Sequence, residues 1–298
     1  MKYSLSRFIK NLKFLMKYNL NAEADKLKLD ILKSVEDIYY YEVLDKEKEK
    51  HRYMLDVLNY DKTIDLLLNQ PKSFCRFGDG EIEIMMEHDI PFQKYDEELK
   101  NIMLKILESN NENLYVGINY NYFHSIDSLN ETNKNFYLLH AKKYRDFLLE
   151  HCNKNRQYIA AGFTQLYMGL SKFDYNIFFK RVKLLFKDKE LVIVAGNGVI
   201  EKLKFDIFEL ARNKEYIKAP NVNAFSEFDN LLKEAFAYPP DKKTFVFILG
   251  PCAKALVYKL TENGYMAWDV GHLAKDYDAY MRHIEKNKKN IDKFFRPD

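Results

Sequence analysis

The chain has 298 residues, 47% of them apolar, enough for one large α/β domain with a helical extension or for two domains. Lys and Arg number 47 against 44 Asp and Glu, a net charge of +3, and this near balance argues against a dedicated nucleic-acid binder. Cys75, Cys152 and Cys252 lack the spacing of a disulfide framework or a zinc site and fit a reducing cytoplasm, so a cytoplasmic location is expected. No apolar run approaches the roughly 20 residues of a membrane span, and no signal peptide is expected.

Residues 1–20 carry Lys2, Arg7, Lys10, Lys13 and Lys17 and no acid. Leu5, Phe8, Ile9, Leu12, Leu15 and Met16 fall at helical spacing between them. Such a helix can lie on an anionic membrane, placing the chain at the inner face as a peripheral protein. It can equally pack on the domain with its lysines in water. Residues 22–70 read as two or three more helices, with one apolar stripe at Leu27, Ile31, Val35 and Ile38 and others through Met54, Leu55, Leu58, Ile64 and Leu67. Residues 1–60 are therefore expected to form a helical extension, with the catalytic domain over 61–298.

From about residue 72 the pattern alternates. Strands are expected at 74–77, 114–118, 157–162, 191–195, 216–220, 244–249 and 265–270. Helices are expected at 96–109, 134–151, 174–187, 227–236 and 277–287. This alternation predicts an α/β fold, a Rossmann-like, mostly parallel sheet covered by helices.

One stretch stands out: Ser73-Phe74-Cys75-Arg76-Phe77-Gly78-Asp79-Gly80-Glu81. An apolar run ends in a cation, two glycines and two carboxylates, the profile of a strand emerging at its C-terminal end. Ligands of open α/β sheets bind there. Asp79 and Glu81, two apart, can point to one side of an extended or tightly turned backbone and suit a hard divalent cation. Arg76 could hold a phosphate oxygen. Equally, Asp-Gly is a common turn dipeptide.

Other polar groups fall at predicted strand ends. Gly196-Asn197-Gly198 closes the 191–195 strand and suggests a phosphate cradle at a helix N-terminus, although Glu201 breaks the dinucleotide fingerprint. Gly250-Pro251 closes the 244–249 strand, with Pro251 suited to a first helical position. Cys252 beside it reads as a packing residue. Asp269 and His272 follow the last strand. The Asn119–His124 loop reads either as a stacking surface for a base or sugar, or as a loop whose aromatics close the core.

Arg76-Phe77-Gly78-Asp79-Gly80-Glu81 resembles the signature of the GT-D-type glycosyltransferases, a Rossmann-like family. Asn223-Ala224-Phe225, Leu249-Gly250-Pro251-Cys252-Ala253, Gly264-Tyr265, Asp269-Val270-Gly271-His272 and Asp276-Tyr277 follow in the family's order, so the resemblance covers about residues 60–285. It implies that Asp79 and Glu81 hold Mn²⁺ or Mg²⁺ on a nucleotide-sugar diphosphate, a UDP-sugar by expectation. Arg76, Phe77, Gly78, Gly196, Asn197, Gly250 and Pro251 would then lie on the donor side. Asp269 and His272 would be the candidate bases toward a glycan or glycoprotein acceptor, in surface-polysaccharide or protein glycosylation. The chain departs from the family pattern at Gly162-Phe163-Thr164-Gln165 and at Gly196–Glu201, where arginines are expected. Two other readings stay open at this point: a Rossmann-like oxidoreductase using Gly196-Asn197-Gly198, and a membrane-associated adaptor without catalysis.

Overall fold

The computed structural model describes residues 54–296 continuously and, before them, the isolated helical positions Ile9, Lys13, Ala24, Lys26, Leu27, Lys28, Ile31 and Val35. Most of the expected 1–60 extension therefore lies outside the described residues. Leu27, Ile31 and Val35 are exposed.

The strands are β1 (Asp56–Val57), β2 (Ser73–Arg76), β3 (Leu114–Ile118), β4 (Gln157–Ala160), β5 (Glu190–Gly196), β6 (Asn213–Ala219), β7 (Thr244–Ile248) and β8 (Met266–Asp269). They form one sheet in the order β1-β4-β3-β2-β8-β7-β5-β6, and every neighbouring pair is parallel. β5 and β7 read as unbroken apolar runs because helices cover both sheet faces.

The helices are α1 (Tyr60–Asn69), α2 (Asp79–Met85), α3 (Glu97–Glu108), α4 (Glu131–His151), α5 (Leu166–Gly169), α6 (Tyr175–Phe186), α7 (Phe228–Phe236), α8 (Cys252–Glu262), α9 (Leu273–Met281) and α10 (Lys288–Phe294). Local chemistry sets several starts. Asn59, Asp96, Asn130 and Asp174 each accept a backbone N–H from the first turn of the helix that follows. Behind its cap, α3 buries Leu99, Met103, Ile106 and Leu107 on one face.

Three expectations change. Residues 54–58 are extended rather than helical: Leu55 and Val57 are buried, β1 pairs with β4, and Leu58 N donates to Tyr158 O at 2.9 Å. The sheet thus begins ahead of the expected boundary at 61. No helix follows Gly196; turns connect β5 to β6. There Asp278 Oδ1 accepts from the backbone N–H groups of Lys204, at 2.8 Å, and Phe205, at 3.1 Å, holding the connection in a non-helical path. The helix expected at 277–287 starts earlier, at Leu273, and ends at Met281, where His283 takes φ +52°.

The chain moves outward from β2 to β3 and β4, then returns through β7 and β8 to the other side of β2. The β2–β8 boundary is therefore the topological switch point, where the crevice of an open α/β sheet lies. Its ladder register is a single pair, Phe74 with Trp268. Side chains bridge the two strands beyond that pair. Toward their starts, Ser73 Oγ donates to Tyr265 O at 3.2 Å and accepts from Ala267 N at 3.0 Å. Phe74 stacks on Trp268, with ring centroids 5.7 Å apart.

Candidate active site

At their C-terminal ends β2 and β8 are joined by Arg76 and Asp269. The Arg76 backbone N–H donates to Asp269 Oδ2 at 3.1 Å, Nε to the Asp269 carbonyl at 2.9 Å and Nη2 to Oδ1 at 3.1 Å. Nη1 reaches the Ala161 carbonyl at the end of β4, at 3.2 Å. One guanidinium thus ties β2 to β8 and to the end of β4 with directed, charge-assisted bonds. Gly271, just past β8, lets it lie there, since a Cβ at that position would overlap Nη2.

Lys254 enters from the first turn of α8. Its Nζ lies 2.6 Å from Glu81 Oε1, 3.1 Å from Asp269 Oδ2 and 3.1 Å from the Gly250 carbonyl. All four charged residues are buried, Lys254 at 2% exposure and Asp269 at 0%. Burial alone would lower the Lys254 pKa; the Asp269 and Glu81 carboxylates outweigh it and hold the ammonium above the ordinary lysine value. Burial pushes Asp269 up, but Arg76 and Lys254 pull harder and hold it below the usual carboxylate range. Two cations and two anions satisfy one another inside the fold.

Asp79 and Glu81 sit in the first turn of α2, where their charge suits the helix N-terminus. They face different surroundings. Glu81 is buried and returns Oε2 to the Gly78 N–H at 2.9 Å, the reach-back half of a capping box. Asp79 is exposed. Crowding by the protein around it, then the charge of Glu81, push its pKa up to about 6, although solvent reaches the side chain. A carboxylate held near another anion favours an added cation. Among the described residues no group of three His, Cys, Asp or Glu side chains comes together as a metal cage. The oxygen donors at this position are two carboxylates, exposed Asp79 and buried Glu81, and Glu81 already has Oε1 against Lys254 and Oε2 against the Gly78 N–H.

His272 immediately precedes α9, with its ring among Phe92, Phe294 and Phe295 at centroid distances of 6.0, 5.2 and 5.6 Å. Burial, then the charges of Lys275, Arg76 and Lys254, lower its pKa to about 3, so the imidazole is neutral near pH 7. Phe77 is buried in the core, and its N–H donates to Gly117 O at 2.7 Å. Pro251 stands one position ahead of α8 rather than in its expected first helical position, and makes no side-chain capping bond. The Ala253 amide is turned back onto Gly250 O at 3.2 Å. Burial pushes the Cys252 thiol up to about 12, which fits packing.

The structure thus joins Arg76 directly to Asp269, and links Glu81 and the Gly250 carbonyl to Asp269 through Lys254, with Asp79 in the first turn of α2 and Gly78 just ahead of it. It leaves Gly196 and Asn197 apart: β7 separates β5 from β8, and Asn197 N donates to Ala219 O at 3.1 Å on the far side. With no helix after Gly196, the cradle expected there does not form. Asp269 is a buried counter-ion with both oxygens engaged, a poor arrangement for the base suggested by its position. Sequence reading missed Lys254. Its signal was one cation inside the apolar run Cys252-Ala253-Lys254-Ala255-Leu256-Val257, where the other five residues are fully buried. Asp276, half of the Asp276-Tyr277 pair, is also buried; it accepts from Tyr167 N at 2.8 Å and Met168 N at 3.0 Å and so pins α5.

The chain is similar to known proteins over the same region. It is 31% identical to the probable glycosyl transferase Gly of Streptococcus gordonii over 235 residues, 78% of this chain and 34% of the relative. It is also 31% identical to glycosyltransferase GlyD of Streptococcus pneumoniae serotype 4 (strain ATCC BAA-334 / TIGR4) over 242 residues, 80% of this chain and 29% of the relative. The chain thus spans about a third of the length of these curated relatives. Among solved structures, the domain of unknown function 1792, described as having a distinct glycosyltransferase fold, superposes with a TM-score of 0.73 at 28% identity, over 82% of this chain and 91% of that one. A glycosyltransferase of the same domain type from Streptococcus sanguinis gives 0.72 at 26% identity, over 82% and 95%. The model of the glycosyltransferase GT-D fold matches residues 74–295, from β2 to the end of α10, and the chain belongs to that family.

Proposed function

We propose that this chain is a metal-dependent glycosyltransferase that moves a sugar from a nucleotide-sugar donor, a UDP-sugar, to a glycan or glycoprotein acceptor in surface-polysaccharide or protein glycosylation. The observation that carries this reading is the meeting of Arg76, Glu81, Lys254 and Asp269 at the β2–β8 switch point, with Asp79 exposed beside them.

Asp79 and Glu81 are the residues that would hold Mn²⁺ or Mg²⁺, which when bound offsets the charge developing on the departing nucleoside diphosphate. The backbone at Gly78 and at Gly250-Pro251 flanks this position and supports the donor side. Arg76 acts through Asp269, fixing the strand ends rather than meeting phosphate. His272 is the candidate to take the acceptor hydroxyl's proton. Its ring is neutral in the ligand-free state, and an anionic donor near Arg76 and Lys254 would raise its basicity by opposing their charges.

Among the described residues no helix is long and apolar enough to cross a membrane. A cytoplasmic protein held at the inner membrane face by residues 1–20 is the location that agrees with the basic N-terminal sequence. The test is nucleotide release from UDP-, GDP- and CMP-sugars with and without Mn²⁺. Release of UDP that requires Mn²⁺ is expected. Metal-independent release, or none from any donor, would overturn the proposal.

A further inference from the structure

We propose that Lys254 is an internal counter-cation: it holds Glu81 in the metal-free protein and gives that carboxylate up to the divalent cation, so that metal loading exchanges one cation for another. This rests on the metal-dependent reading above.

The contacts support an exchange. A lysine ammonium has three donors, and Nζ has three acceptors within 3.1 Å: Glu81 Oε1, Asp269 Oδ2 and the Gly250 carbonyl. When Glu81 turns away, the other two remain. Asp269 also keeps Arg76, so no buried charge is left without a partner, the condition under which breaking an ion pair becomes costly.

The positions support it too. Glu81 is the most exposed of the four charged residues, at 9%, and shares the first turn of α2 with exposed Asp79. Lys254 is the only charged residue of α8 that is buried. At 2% exposure against 9% for Glu81, the lysine lies deeper than the carboxylate it holds. A cation arriving from solvent meets Asp79 and the outer side of Glu81 first. It must then compete with an ammonium 2.6 Å from Oε1. A dication carries twice the charge of the ammonium and prefers carboxylate oxygens, so it can win this competition, but the lysine lowers its affinity.

The experiment uses the whole chain and Mn²⁺ alone, with free Mn²⁺ followed by its paramagnetic resonance signal and no donor present. Lys254→Gln keeps a donor for Gly250 or Asp269 and removes the charge; Asp79→Asn reports on the metal site itself. Lys254→Gln is expected to bind Mn²⁺ at least about tenfold more tightly than wild type, from the loss of a nearby repelling charge. Binding only by Lys254→Gln would support the proposal as well. Unchanged or weaker binding by this variant, while wild type binds and Asp79→Asn does not, overturns the exchange and leaves the metal reading standing. No binding by wild type or by Lys254→Gln overturns both.

If Lys254→Gln does not fold, the wild-type protein still decides. The Lys254 ammonium resonance should shift and lose solvent protection when diamagnetic Mg²⁺ is added. An unchanged resonance at saturating Mg²⁺ overturns the proposal.

Discussion

The guanidinium of Arg76 lies in the space that a side chain on Gly271 would fill. A Cβ there would overlap Nη2 and stand 2.8 Å from Cζ, and Gly271 takes φ +45°. Steric overlap and left-handed backbone therefore both forbid a larger residue. Gly271→Ala is expected to destabilise the protein by about 2–4 kcal/mol, from overpacking and from strain at positive φ. It should also push Arg76 away from Asp269. Denaturant unfolding measures the first effect. A wild-type midpoint would mean that Arg76 can rest elsewhere at no cost.

Arg76 itself reads differently before and after the structure. From the sequence, its removal is expected either to weaken diphosphate binding with the fold retained or, if Arg76 pairs with Asp79 or Glu81, to lower the stability of the ligand-free protein. In the structure its donors go to Asp269 and to the Ala161 carbonyl. Arg76→Ala should therefore destabilise the ligand-free protein by roughly 3–5 kcal/mol, the range for removing one partner of a buried pair. Arg76→Lys should recover only part of this, because a single ammonium cannot make the same set of directed bonds. Calorimetry of the ligand-free proteins checks both.

The contrast between Arg76 and the strand it ends shows what a sequence can carry. β5 and β7 were legible because burial on both faces leaves an unbroken apolar run, a property of each segment alone. The span of α3 was legible for the same reason, since its apolar spacing belongs to the segment alone. β1 was not: two residues hold too little pattern, and they become a strand only because β4 lies beside them. The turns after Gly196 were not, because the acceptor that holds Lys204 and Phe205 sits on α9. In the candidate site, Gly78, Asp79 and Glu81 are grouped by the sequence because they are neighbours in the chain. Lys254 finds Glu81 and Asp269 only through the strand order, so its role is written in the topology rather than near it in the sequence.

Asp276 makes stability depend on pH. Burial pushes its carboxyl up to about 7, against the Tyr167 and Met168 N–H groups that favour the anion. A folded pKa above the unfolded one gives stability that is complete below about pH 4 and is lost as pH rises through the folded value. Its contribution should thus decline between about pH 4 and 7, with an upper limit of about 1.4 kcal/mol per pH unit. Asp276→Asn should flatten this slope. It should also cost about 1–3 kcal/mol at low pH, since the amide nitrogen that replaces one carboxyl oxygen donates and cannot accept from the N–H group facing it. Unfolding free energies of the two proteins from pH 4 to 8 test the slope; parallel curves would remove Asp276 as its source.

Residues 1–20 are expected to add affinity for anionic membranes without serving the chemistry. They carry five cations and no acid, and each cation near such a surface adds about 1 kcal/mol. Liposome flotation should separate the full chain from one lacking these residues on anionic vesicles and not on neutral ones. Equal flotation of both chains ends the membrane role.

Asp79 and Glu81 should respond in opposite ways when their charges are removed. Asp79 is exposed and has Glu81 as its neighbouring anion; its raised pKa, about 6, means that its charge is disfavoured in the folded protein. Asp79→Asn should therefore leave the metal-free protein as stable or more so above pH 6, and this gain should vanish below about pH 4, where the carboxyl is protonated in both states. Glu81 is buried against Lys254. Glu81→Gln removes a charged hydrogen-bond partner from a buried ammonium and should cost about 1.5–3 kcal/mol in the same protein. Both variants should lose Mn²⁺-dependent donor binding and turnover, because an amide oxygen is a poorer ligand for a hard cation. A turn without chemistry predicts another pattern: metal response unchanged in both variants and a stability loss confined to Glu81→Gln through its Gly78 bond. Titration calorimetry with Mn²⁺ and UDP, run beside melting curves of the metal-free proteins, separates the two. If both variants keep a wild-type metal response, Asp79 and Glu81 are a helix start and nothing more, and the proposed chemistry loses its centre.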